Sequence, residues 1–168
     1  MNKQLLVMRH AKSSWTEEGK TDYERQLNKR GRRVAPQMGQ LIRSEDLVPD
    51  KVFSSSATRA AETTKLFAEE CEVDQGHIQY VKYLYHAPAD EYLELIDRFD
   101  EPDVEVLMVV GHNPGLEELV YSLSHQYETM PTAAIAHFDL GVEDWITIRR
   151  PYRATLKSLW RPKEVGIA

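Results

Sequence analysis

Four residues of this 168-residue chain carry side chains suited to handling a phosphoryl group: Arg9, His10, Arg59 and His112. A phosphoryl group in transfer spreads negative charge over its equatorial oxygens, so its chemistry is mainly positioning and electrostatics. A guanidinium offers a rigid fork of donors and stays charged at any working pH. Arg9 and Arg59 are therefore expected to bracket a phosphate. A neutral imidazole can attack phosphorus, and a bond from its second nitrogen to a backbone carbonyl would fix the tautomer. That is the role expected of His10. His112, if protonated, adds a cation and a donor opposite. Neighbouring arginines oppose that protonation and a bound dianion favours it.

These residues lie in three segments: VMRHAKSSW (Val7 to Trp15), SSSATRAAETT (Ser54 to Thr64) and VVGHNPGLEEL (Val110 to Leu119). Each follows a predicted strand. The apolar run from Gln4 to Arg9 reads as a strand buried on both faces, and Val104 to Val110 as a central parallel strand. Lys51 to Ser54 is a short strand between them. Tyr80 to Tyr83, Ile135 to Leu140 and Thr155 to Leu159 are further strand candidates. Helical spacing marks Leu27 to Ser44, Ala57 to Glu72, Pro88 to Phe99 and Leu116 to Ser124. Gly141 to Arg153 reads as a turn or short excursion. Alternating strands and helices predict an α/β fold with a largely parallel sheet, and neither linker nor repeat divides residues 1–168. In such a sheet ligands collect beyond the carboxyl ends of the strands, which would bring the four residues together.

The segments have a specific likeness. Arg9-His10 after the first strand, Ser55-x-x-x-Arg59-Ala60-x-x-Thr63 after the second, and Gly111-His112-Asn113-Pro114 after the long central strand stand in the order of the histidine phosphatase superfamily. The chain resembles that superfamily over roughly residues 3 to 161, and within it the small phosphohistidine phosphatases of the SixA type. The resemblance implies a phosphoglycerate mutase-like three-layer αβα sandwich. It also implies a phosphatase with a covalent phosphohistidine on His10, and Arg9, Arg59 and His112 as its catalytic partners.

Ser13, Thr16, Asn113 and Arg25 are the further candidates for substrate contact; Ser13 reads equally as a loop residue, and Asn113 equally as the residue that holds the turn before Pro114. The superfamily often has Gly directly after the nucleophilic His and Asn six residues after it; Ala11 and Thr16 stand there instead. Arg25, three residues after Asp22, reads either as a pocket-rim residue or as half of a surface ion pair. His77, His86, His125 and His137 match no motif and read as surface or packing residues; Tyr83, Tyr85 and Trp160 read as core or rim aromatics. Related mutases and acid phosphatases commonly supply a carboxylate that protonates the leaving oxygen. Glu91 is the best positional candidate, and an exposed helical residue is its simpler reading. A missing acid points to a leaving group that departs without one: a phosphorylated imidazole with its second nitrogen protonated leaves as a neutral ring. The expected substrate is accordingly phosphohistidine on a protein, with Lys12, Lys20 and Arg25 as docking charges. The alternatives are a broad small-molecule phosphomonoesterase, a phosphoglycerate mutase and a non-catalytic phosphate-binding module.

Composition excludes other classes. The net charge of −6 argues against a nucleic-acid partner and requires that a phosphate be drawn in by a few local cations. No apolar stretch approaches the ~20 residues that span a membrane. The apolar run at the N-terminus is too short for a signal peptide, so a cytoplasmic protein is expected. One cysteine, Cys71, allows no internal disulfide, and the Cys and His spacings imply neither metal nor cofactor. The oligomeric state is not encoded in any feature of the sequence.

Overall fold

The computed structural model describes residues 1–15 and 18–168. One six-stranded sheet organises them. Its strands are β1 (Gln4–Arg9), β2 (Lys51–Ser55), β3 (Ile78–Val81), β4 (Val106–Gly111), β5 (Ile135–Asp139) and β6 (Thr155–Trp160), in the order β3-β2-β4-β1-β5-β6. β1 to β4 are mutually parallel; β5 runs antiparallel to β1, and β6 antiparallel to β5. Four helices cover the faces: α1 (Lys29–Ser44), α2 (Thr58–Cys71), α3 (Ala89–Asp97) and α4 (Gly115–Ser124). The result is the α/β three-layer sandwich of the expectation.

The strand sequences explain the layers. Leu5 and Val7 of β1 and Leu107 and Val109 of β4 point into one core with α3 and α4. Leu6, Met8, Met108 and Val110 point into the other, with α1 and α2. Alternate side chains face opposite ways, so a strand sandwiched by helices must be apolar at every position. Gly39 of α1 lets that helix touch α2, because a Cβ there would run into Phe67 O.

Several boundaries differ from the sequence reading. α1 begins at Lys29 because Asn28 caps it, its side chain accepting from Gly31 N, while Leu27 bridges to Ser13. β4 starts at Val106, where Asp50 Oδ2 accepts from the Glu105 and Val106 amides. The third strand is Ile78–Val81, not Tyr80–Tyr83, for the chain turns at Lys82–Leu84 to bury Leu84. The excursion after Gly141 does more than turn. Its Trp145 is fully buried and donates through Nε1 to Val104 O at 2.7 Å.

Candidate active site

The carboxyl ends of β1, β2 and β4 meet at one edge of the sheet. Arg9 ends β1 opposite Gly111, the last residue of β4. His10 and His112 follow those strands directly, and Arg59 lies in the first turn of α2. Their side chains line one hollow of about 250 Å³, together with Ser13, Arg25 and Asn113. The imidazoles of His10 and His112 have ring centroids 5.2 Å apart. Thr16 lies outside the described residues.

Each side chain is held from behind. His10 is buried and its Nδ1 lies 2.7 Å from Ala11 O, so Nε2 is the nitrogen left for chemistry. The next backbone amide, Ala11 N, donates to Thr63 Oγ1 at 2.9 Å, and Thr63 Oγ1 donates to Arg59 O at 2.7 Å. His112 Nε2 lies 2.8 Å from Ser55 Oγ, and its backbone N–H donates to Tyr92 Oη at 3.3 Å. Arg9 donates through Nη1 to Met130 O at 3.1 Å. Nε of Arg9, Nε of Arg59 and Nδ1 of His112 are buried without a partner among the described residues.

Arg59 and Arg25 converge on one carboxylate. Asp22 Oδ2 accepts from Arg59 Nη2 at 3.2 Å, from Tyr85 Oη at 2.6 Å and from His86 Nε2 at 3.1 Å; Asp22 Oδ1 accepts from Arg25 Nε at 3.0 Å. Arg59 Nη1 also donates to Asp22 O at 2.7 Å. Partial burial pushes the Asp22 carboxyl upward, but the Tyr85 hydroxyl and the two guanidiniums outweigh it and hold the group well below the usual carboxylate range. Arg25 is therefore both alternatives at once. It pairs with Asp22, lines the hollow, donates to Ser13 Oγ at 3.0 Å, and stacks 3.6 Å over the exposed Trp15 ring.

Burial and the positive surroundings set the protonation of the imidazoles. Burial, then Arg59, Arg9 and Arg25, push His10 down to about 3 against the pull of the Ala11 carbonyl. Burial, then His10, Arg59 and His86, push His112 down to about 2. Both rings are neutral near neutral pH when the hollow holds only protein. A neutral imidazole with a fixed second nitrogen, facing two guanidiniums, is arranged to accept a phosphoryl group.

Comparison with known proteins fits that chemistry. Residues 5–80 match the family model of the histidine phosphatase superfamily (branch 1). A structure assigned as the phosphohistidine phosphatase SixA of Agrobacterium tumefaciens is similar along 96% of this chain and 99% of its own, at 26% identity and a TM-score of 0.80.

The chain belongs to the histidine phosphatase superfamily.

An uncharacterised protein of Mycobacterium tuberculosis is 34% identical over 144 residues, covering 86% of this chain and 81% of its own. The protein histidine phosphatase SixA complexed with tungstate shares the fold, with a TM-score of 0.81 at 18% identity. Membership of the histidine phosphatase superfamily makes this chain a hydrolase that works through a phosphohistidine intermediate.

The contacts of Glu91 and Asn113 bear on the two readings of each. Glu91 is not at the hollow. It sits on α3 beside Tyr83, Glu94 and Phe53, at a separate surface depression. Asn113 lines the hollow, but its Nδ2 donates to Glu117 Oε1 at 3.0 Å and to Met130 O at 2.9 Å, so its amide hydrogens hold the turn before Pro114. His86 is exposed, as expected of a surface residue, yet its exposed ring forms a wall of the site. Ser55 and Thr63 stood in the sequence motif without a role; their contacts supply one. The sequence marks Asp22 only alongside Arg25 in the segment TDYERQL, and Tyr85 only as an aromatic. Among the described residues, no group of three or more His, Cys, Asp or Glu side chains could hold a metal ion, and no helix is long and apolar enough to cross a membrane.

Proposed function

We propose that His10 is the residue phosphorylated in this enzyme and that its substrate is phosphohistidine on a protein. The observation that carries the first half is the anchoring of His10 Nδ1 on Ala11 O within a hollow lined by Arg9, Arg59 and His112. His10 Nε2 attacks phosphorus while the two guanidiniums take up the charge on the equatorial oxygens. His112, fixed by Ser55, lines the same hollow. Water then attacks the phosphorus of phospho-His10, and the imidazole departs neutral because Nδ1 keeps its proton against Ala11 O.

The substrate half rests on two features of the hollow: the lack, among its described lining residues, of a carboxylic acid to serve an alkoxide, and a mouth open to a protein side chain. Asp22 is the one carboxylate among the described lining residues, and its environment keeps it ionised. A group held in that state cannot give a proton to a departing alkoxide. A phosphorylated imidazole needs no such proton. The mouth suits a protein side chain: Trp15 is 73% exposed and Lys12 is exposed beside it, offering a ring and a cation to an approaching surface.

The test is a substrate panel with wild type and His10→Ala: a phosphohistidine peptide, phosphoramidate, p-nitrophenyl phosphate and sugar phosphates. Wild type should turn over the phosphohistidine peptide fastest and, on rapid quenching, carry an acid-labile, alkali-stable phosphate. His10→Ala should lose both label and turnover while keeping its circular dichroism spectrum. Faster cleavage of sugar phosphates than of the peptide would overturn the substrate; label surviving in His10→Ala would overturn the nucleophile.

A further inference from the structure

We propose that His86, oriented by Asp22, is the proton donor of this site for leaving groups that depart through oxygen. The inference rests on the reading of His10 as nucleophile and extends it to the other end of the reaction axis. In an in-line displacement the leaving atom lies opposite the attacking one. His10 is 6% exposed, at the floor of the hollow. The His86 side chain is 57% exposed and lines the same hollow at its mouth. A group that leaves through the exposed side of the hollow passes His86.

The placement of His86 is constrained by its surroundings. Its backbone has φ of +54°, in the left-handed region that few residues other than glycine adopt. The next residue is pinned, because a Cβ on Gly115 would run into Ala87 O. The ring lies 4.0 Å from the Tyr85 ring, and its centroid is 5.8 Å from that of His112. His86 Nε2 lies 3.1 Å from Asp22 Oδ2, a carboxylate already fixed by Arg59 and Tyr85. A carboxylate accepting from one imidazole nitrogen fixes the tautomer and orients the ring. His86 Nδ1 has no hydrogen bond among the described residues, and it is the nitrogen left to exchange a proton with a ligand.

The proton balance closes. As the His10 Nε2–P bond forms and the P–O bond breaks, imidazolium His86 gives its Nδ1 proton to the departing oxygen, and the alcohol leaves neutral. Neutral His86 then takes a proton from the water that attacks phospho-His10. The P–N bond breaks, phosphate leaves, and both histidines return to their starting states. A phosphorylated imidazole uses the first of these transfers little, so His86 matters most for esters.

The test is leaving-group dependence in His86→Asn, a residue that tolerates the left-handed backbone, with His86→Gln as a second variant. Rates are measured on an alkyl phosphate, on p-nitrophenyl phosphate and on a phosphohistidine peptide. The ratio of alkyl to p-nitrophenyl turnover should fall at least about tenfold in both variants, and added imidazole should restore part of it. Labelling of His10 should persist. An equal loss on all three substrates, or an unchanged ratio, would show that His86 only shapes the pocket. Wild-type enzyme with no turnover of the alkyl ester would also overturn the proposal. Absence of label on wild-type His10 would instead remove the nucleophile on which it rests.

Discussion

Thr63 Oγ1 accepts the backbone N–H of Ala11 at 2.9 Å and donates to Arg59 O at 2.7 Å. One hydroxyl thus ties the residue after His10 to the residue that presents the second guanidinium. Ala11 O in turn faces His10 Nδ1. The imidazole and Arg59 come from segments some fifty residues apart, and Thr63 fixes one against the other. Threonine suits this point because its hydroxyl both donates and accepts, and its branched Cβ restricts the rotamer.

Thr63→Val keeps the shape and removes the hydroxyl. The Ala11 amide is then buried without its acceptor, which costs about 1–3 kcal/mol. Urea unfolding should show that loss. The rate should fall by more than substrate affinity does, since the misplaced atom is the nucleophile. A kcat within about twofold of wild type, alongside the stability loss, would confine Thr63 to folding.

Ser55 does for His112 what Thr63 does for His10. Its Oγ lies 2.8 Å from His112 Nε2 and accepts from Ala57 N at 3.2 Å. With Ala57 N–H donating to it, the hydroxyl proton is free to go to His112 Nε2, which would set Nδ1 as the protonated nitrogen of the ring. Ser55→Ala should lower kcat by roughly tenfold or more, on the scale of losing one donor to the transition state. Ser55→Thr, which keeps the hydroxyl, should recover part of the loss. Recovery in neither kcat nor KM would argue that Ser55 only packs.

The parts of this design differ in how visible they are in the sequence. β4 is legible because burial on both faces leaves no polar position. Arg9, His10, Arg59 and His112 are legible because their types are chemically specific and they follow strands. β3 is misplaced by the sequence because it is an edge strand with Gln79 and Tyr80 exposed, so its apolar pattern is weak. Trp145 gives no local sign of burial; its partners Phe99 and Val104 come from a distant turn. The pairing of Asp22 with His86 is invisible for the same reason. They are brought together across sixty-four residues by loops, and only tertiary contact reveals that one carboxylate serves Arg59, Arg25, Tyr85 and His86.

Cys71 should take no part in catalysis. It is fully buried at the end of α2, and burial pushes its thiol up to about 12. Thiolate is the reactive form, so the native protein should resist iodoacetamide at neutral pH and react only on unfolding. Inactivation at the rate of Cys71 alkylation in the native protein would contradict this placement.

The two site histidines should make the protein sensitive to mild acid. In the unfolded chain each imidazole takes a proton near its ordinary value of 6.5, whereas the folded protein holds His10 at about 3 and His112 at about 2. Between those values the unfolded state binds protons that the native state refuses. Stability therefore rises with pH across that interval, is complete above about 6.5, and is lost progressively as pH falls. Asp22, held low in the folded protein, adds its own loss only once pH drops below the ordinary carboxylate value of 3.8. Burial also pushes His137 down, so part of the slope comes from outside the site. Thermal melts from pH 7 to about pH 4.5 should show a steady fall in Tm, and His112→Gln should flatten it without reaching zero. A variant whose slope matches wild type would mean that His112 is protonated in the native protein, and that its burial does not govern its charge.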